Sequence, residues 1–150
     1  LKRIAYQIYE ANISQEEVII AGIKANGYIF AEKLKTAVEK IAPIKVTLCK
    51  VTMDKKNPIS QITTSLKPEA YQNKSLLLVD DVLHSGTTLI YAVKHFLEVP
   101  LKQFKTAVLV DRNHKKYPIK ADYKGISLST SINENVVVIF EQGNNRAILE

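Results

Sequence analysis

Leu76-Leu77-Leu78-Val79-Asp80-Asp81-Val82-Leu83-His84-Ser85-Gly86-Thr87-Thr88-Leu89 is the stretch on which the reading of this 150-residue chain turns. Leu76 to Val79 form a short, unbroken apolar run, which suits a strand buried on both faces of a parallel sheet. Two carboxylates follow, Asp80 and Asp81, and then a loop of small polar residues, Ser85 to Thr88. From Leu89 to Leu97 the apolar residues fall at helical spacing, so the loop sits at a helix N-terminus. Backbone N–H groups are unpaired there and the helix dipole is positive, which favours a phosphate. Ser85, Thr87 and Thr88 add hydroxyl donors, and Gly86 allows the backbone to come close. The carboxylates stand a few residues upstream, within reach of hydroxyls on a sugar whose phosphate lies in the loop. A ribose 5-phosphate meets both demands.

Working outward, Lys2 to Ala11 reads as an amphipathic helix with Ile4, Ala5, Ile8 and Tyr9 on one stripe. Val18 to Ile23 is a buried strand. Gly22 to Gly27, GIKANG, then leads into a helix over Tyr28 to Ile41 that Pro43 stops. Ile44 to Val51 alternates as a strand, and Ile59 to Ser65 reads as a weaker one beyond the polar loop Met53 to Pro58. Downstream, Lys105 to Asp111 is a further strand, followed by the basic loop Arg112 to Pro118, the segment Ala121 to Gly125 and a polar stretch from Ser127 to Ser131. Strands at Val136 to Phe140 and Arg146 to Leu149 flank a turn at Gly143-Asn144-Asn145. Strands alternating with helices predict a three-layer α/β fold, its central sheet mostly parallel with helices on both faces. Ligands in such folds bind at the carboxyl ends of strands, where the Ser85 to Thr88 loop falls.

Composition sets bounds. The length suits one domain over residues 1–150. Apolar residues make up 46% and charged residues 24%, as in an ordinary globular protein, and no apolar run approaches a membrane span. No basic-then-apolar leader is present, so a cytoplasmic protein without a membrane is expected; the missing Met before Leu1 suggests that a few native residues precede it. Cys49 is the only cysteine, which excludes an intramolecular disulfide and suits a reducing compartment. A net charge of +6 favours phosphate-rich ligands or nucleic acid without choosing between them.

The ordered string of apolar strand, paired acids and small-residue loop resembles the signature of type I phosphoribosyltransferases. The resemblance runs over nearly the whole chain. Leu1 to Asn12, Val18 to Gly27 and Leu109 to Ser131 look like the matching segments of the PyrR-type pyrimidine-operon attenuators, which also have uracil phosphoribosyltransferase activity. ADYKG, Ala121 to Gly125, resembles the hood of purine phosphoribosyltransferases as well. What this implies is a type I phosphoribosyltransferase fold with a small hood. The enzyme would move ribose 5-phosphate from phosphoribosyl pyrophosphate to a nucleobase, uracil first and a purine as the alternative. Asp80, Asp81 and Lys50 would be the catalytic residues. Leu83, His84, Ser85, Gly86, Thr87 and Thr88 would hold the 5-phosphate, and Lys24, Ala25, Asn26 and Gly27 the pyrophosphate. Asp111, Arg112 and Ile126 would line the base pocket. Mg²⁺ would be held mainly through the substrate, with no dedicated metal site in the protein, and a homo-oligomer, a dimer first, is expected.

The chain departs from the family pattern in places. Ala25 and Asn26 stand where relatives carry a Thr-Arg pair, which removes a bidentate phosphate grip and leaves Lys24. The lid over the site keeps cations at Lys50, Lys55 and Lys56. The basic run from Arg112 to Lys120 reads as a solvated loop beside a phosphate-binding cleft. The resemblance offers RNA contacts at His114, Lys115 and Lys120 as the alternative, with lysines where attenuators have arginines and with Ile126 in place of a lysine. A chain that binds RNA and uses phosphoribosyl pyrophosphate or a nucleotide only as an effector is the rival reading. His95, on the helix, reads as packing or surface.

Overall fold

A computed structural model describes residues 1–112, 115–128, 136–141 and 144–149. The order of elements is α1 (Lys2–Ala11), β1 (Glu17–Ile23), α2 (Asn26–Ile41), β2 (Lys45–Thr52), β3 (Thr63–Thr64), α3 (Pro68–Tyr71), β4 (Ser75–Leu83), α4 (Thr87–Phe96), β5 (Gln103–Arg112), β6 (Tyr123–Leu128), β7 (Val136–Glu141) and β8 (Asn144–Leu149). Six strands form one sheet in the order β3-β2-β1-β4-β5-β6, and β7 and β8 form a separate two-stranded sheet. Among the described residues only β3 runs antiparallel in the large sheet. Among the described residues no helix is long and apolar enough to cross a membrane.

Alternation along the strands builds the three layers. Val18 and Ile20 of β1 and Leu77 and Val79 of β4 face α1 and α2, packing on Ile4, Ile8, Phe30, Leu34 and Val38. Their neighbours Ile19, Ala21, Leu76 and Leu78 face the other way, onto Tyr71, Leu89, Ala92 and Phe96 of α3 and α4. Both faces are dry, which is why β1 and β4 read as continuous apolar runs. Cys49 is buried in the second layer. The small sheet is seated by a third apolar cluster, where Val136 and Val138 meet Val82 and Val110 at the ends of β4 and β5.

Three local expectations change. The weak strand over Ile59 to Ser65 contracts to Thr63–Thr64, because only Val51 and Thr52 pair with it and Ile59 is left 78% exposed. A strand forms at Tyr123–Leu128, where polarity hid it, because its backbone pairs with β5 from Ala107 to Arg112. Asn144 and Asn145 belong to β8, with Asn144 opposite Glu141, and Gly143 lies outside the described residues.

The strand order reverses between β1 and β4: the chain leaves β1 toward β2 on one side and leaves β4 toward β5 on the other. The crossover helices α2 and α4 therefore lie on opposite faces and open a crevice at the carboxyl ends of β1 and β4.

Candidate active site

Two loops close on that crevice. The first joins β1 to α2. Gly22 and Gly27 let it pass close to the sheet: a Cβ on Gly22 would lie 2.6 Å from the Gly27 carbonyl oxygen, and one on Gly27 would lie 3.1 Å from Asp80 Oδ1. Lys24 and Ala25 are exposed, joined by a cis peptide bond, while Asn26 is half-buried and Gly27 buried. The helix begins at Asn26, two residues before the apolar spacing indicates.

The second loop joins β4 to α4. Gly86 is its turning point, at φ +90°, and acts as the N-cap of α4. Ser85 Oγ lies 2.8 Å from Thr87 Oγ1 and accepts from the Thr87 N–H at 3.3 Å. Behind it, the segment after β5 is docked by its backbone: the N–H groups of Lys116 and Tyr117 donate to the Ser85 carbonyl at 2.8 and 3.1 Å. Asp80, Asp81, Leu83, His84, Ser85, Gly86, Thr87 and Thr88 line one cavity of about 200 Å³, with Lys55 at its side.

Successive strand residues point opposite ways, so the two acids part. Asp80 turns inward and is 3% exposed. Its Oδ1 accepts from the Asp81 N–H at 2.9 Å and lies 3.4 Å from Lys55 Nζ. Burial pushes this carboxyl up to about 7; Lys55 pulls it back and Asp81 adds to the rise. Asp81 turns toward α2, where Oδ1 accepts from the Val82 N–H at 2.9 Å and Oδ2 from Asn26 Nδ2 at 3.2 Å. Lys50 stacks its ammonium on Tyr28, 4.8 Å from the centre of that ring. The lysine on the acid is Lys55, which sequence places in the lid without singling it out.

The register of β4 on β5 pairs Leu83 with Asp111, so the next residues in each chain segment meet. Arg112 Nη1 lies 2.9 Å from His84 Nδ1. A guanidinium can only donate, so Nδ1 accepts and the imidazole is neutral. Burial first, then the charge of Arg112, holds the His84 pKa below its usual value. Asp111 is buried between two lysines, Lys115 at 3.3 Å and Lys124 at 3.6 Å, and its Oδ1 accepts no hydrogen bond among the described residues. Ile126 is 49% exposed and lines a different, larger cavity of about 480 Å³ under β7 and β8, together with Leu109, Val138 and Phe140. Lys120 is exposed, and His114 lies outside the described residues. His95 packs edge-on against Phe96, as expected of a packing residue.

A mostly parallel sheet with its crevice at the switch point, paired acids near a strand end and a small-residue loop at a helix N-terminus define the class of type I phosphoribosyltransferases. The chain belongs to that family: the phosphoribosyl transferase domain matches residues 1–141. Within it, the chain is 31% identical to the bifunctional protein PyrR of Enterococcus faecalis over 95% of its own length and 84% of the relative's. It is 33% identical to the bifunctional protein PyrR of Streptococcus mutans, over 92% and 80%. Among solved structures, a hypoxanthine-guanine phosphoribosyltransferase from Bacillus anthracis superposes with a TM-score of 0.74 at 22% identity, covering 91% of this chain and 77% of that one. The hypoxanthine phosphoribosyltransferase of Trypanosoma cruzi in complex with IMP gives 0.71 at 19%, covering 90% and 75%. These two likenesses establish the fold.

Proposed function

We propose that residues 1–150 act as one domain that transfers ribose 5-phosphate from phosphoribosyl pyrophosphate to a nucleobase, uracil before a purine. The observation that carries this reading is the cavity that Asp80, Asp81 and the Ser85 to Thr88 loop line together. In the reaction a ring nitrogen of the base bonds to the anomeric carbon. The C–O bond to pyrophosphate breaks with its electron pair staying on pyrophosphate, and the base gives its N–H proton to solvent. The carbon passes through an oxocarbenium-like state, which nearby carboxylates favour. The loop would fix the 5-phosphate with backbone N–H groups and hydroxyls, and the acids would hold the ribose hydroxyls, so that attack is in line. Lys24 and Lys55 would face the leaving pyrophosphate. Arg112 and Asp111, at the end of β5, would meet the base.

Among the described residues no cluster of three or more His, Cys, Asp or Glu could hold a metal ion. The cavity has a buried carboxyl at Asp80 whose charged form a cation would favour, and this suits Mg²⁺ carried on the oxygens of the substrate beside Asp80 and Asp81. Bound there, Mg²⁺ would supply positive charge to the leaving pyrophosphate. The chain would work in the cytoplasm, as a dimer.

The direct test is turnover of phosphoribosyl pyrophosphate and Mg²⁺ with uracil, hypoxanthine, guanine or xanthine, against the Asp80→Asn, Asp81→Asn double variant. Turnover of one base that the variant abolishes supports the reading and names the base. Binding of the pyrophosphate ester without turnover of any base favours a second reading, an RNA-binding regulator with that ester as effector. The resemblance to PyrR-type attenuators, together with the likeness to relatives named bifunctional protein PyrR, supports such a role. The ion pair of Lys115 with buried Asp111 argues for Lys116 and Lys120, both exposed, as its contacts. A salt-sensitive RNA shift that the Lys116→Met, Lys120→Met variant loses would support it.

A further inference from the structure

We infer that Asn26 is a positioning residue: its side chain aims Asp81 at the ligand and ties the small β7–β8 sheet to the floor of the site. Asn26 opens α2, directly after the loop that approaches the acid pair. Its Nδ2 lies 3.2 Å from Asp81 Oδ2 and 2.9 Å from the carbonyl oxygen of Val138. One amide nitrogen carries two protons, and both find acceptors. Turning the amide over would set its oxygen against a carboxylate and a carbonyl, so chemistry fixes this orientation.

The two contacts join two sheets that share no strand pairing among the described residues. Asp81 lies near the carboxyl end of β4, two residues before its last, in the large sheet, whereas Val138 sits in the middle of β7, which among the described residues pairs with β8 alone. Beside this amide the seam between the sheets is packed by an apolar cluster of Val82, Val110, Val136 and Val138. Apolar contact sets how closely β7 approaches but gives little direction, while a hydrogen bond to a backbone carbonyl fixes its position along the seam. The same amide holds Asp81 from one side while the Val82 N–H holds it from the other. A carboxylate accepts more than one hydrogen bond per oxygen, so Asp81 keeps lone pairs for a ribose hydroxyl. Asn26 thus does something a phosphate-gripping cation at this position could not: an arginine would carry its charge toward the anion, whereas this short neutral amide spends its donors within the protein.

The role toward the ligand rests on the function proposed above; the tie to β7 does not. The experiment therefore has two arms, on the full chain with Asn26→Ala, Asp81→Asn and the double variant. Hydrogen exchange without ligand reads the tie. Amides of Val136 to Glu141 exchange at least fivefold faster in Asn26→Ala, while those of β1 and the start of β4 keep their rates. Isothermal titration with phosphoribosyl pyrophosphate and Mg²⁺ reads the aim. Asn26→Ala weakens binding five- to twentyfold, and in the Asp81→Asn background it has no further effect, because Asn26 acts through Asp81. Unchanged exchange at β7 overturns the tie. Unchanged affinity, or losses that multiply in the double variant, overturn the aim. A wild-type chain that binds no ester overturns the proposed function, and faster exchange at β7 in Asn26→Ala would still uphold the tie.

Discussion

Lys55 and Asp80 form the ion pair at the bottom of the site, 3.4 Å apart, with the carboxylate almost fully buried and the lysine half-exposed on the loop after β2. Burial raises Asp80 to about 7, against the pull of Lys55. An ionised Asp80 accepts two hydroxyl donors and sits well beside a cation; a protonated one does neither fully. The profile of kcat/KM against pH, which reports the free enzyme, should therefore fall on the acid side with a midpoint near 7. Replacing Lys55 by Met removes the charge that lowers this pKa, so the acid limb should move to higher pH. A limb that stays in place in Lys55→Met would mean that another group controls it.

The same group makes stability depend on pH, and the sign is the reverse of the usual carboxylate. The unfolded chain releases this proton near 4 and the native one near 7, so between those values the native state binds more protons. Stability from Asp80 is complete at pH 4 and is lost as pH rises to about 7, after which it is flat. Asp80→Asn keeps a neutral side chain at every pH. At pH 8 the variant should be more stable than wild type by on the order of 2 kcal/mol, with a smaller gain at pH 5. Urea unfolding at both values checks this, and an equal effect at the two values would contradict it.

His84 should titrate below its usual range because it is partly desolvated and faces Arg112. Arg112→Met removes the charge but leaves the burial, so the His84 pKa should rise only part of the way. Imidazole proton shifts followed by NMR across pH 4–8 separate the two causes. Full recovery to the ordinary value in Arg112→Met would assign the whole effect to the guanidinium.

Sequence exposed the parts of this molecule that are local. The strand, acids, loop and helix from Ser75 to Phe96 are consecutive, and their periodicity and turn chemistry survive folding unchanged. What it hid depends on distant partners. Nothing in Tyr123–Leu128, with Lys124, Ile126 and Ser127 exposed, marks a strand until β5 lies beside it. Lys50, Lys55 and Lys56 are alike in sequence, and only the path of the loop brings Lys55 to Asp80. The Asn26 contact to Val138 spans 112 positions along the chain, so the residue reads as a lost cation until the small sheet is in place.

Gly86 offers the sharpest test of the phosphate loop. Its φ of +90° is a conformation that a side chain adopts at a cost of roughly 1–3 kcal/mol. A Cβ there would also clash with Ile119 Cγ2, on the segment that Lys116 and Tyr117 dock against Ser85. Gly86→Ala should therefore lower the melting temperature by roughly 5–10 °C and weaken inorganic phosphate and phosphoribosyl pyrophosphate together, since both need the same backbone N–H groups. The Gly86→Ala, Ile119→Ala double variant removes the clash but not the strained φ. It should regain part of the binding that Gly86→Ala loses, because the loop can return toward its native path. Affinity that recovers fully would show that crowding by Ile119 is the whole effect, and affinity that does not recover at all would place it in the backbone. Wild-type phosphate affinity in Gly86→Ala itself would remove the Ser85 to Thr88 loop from the site.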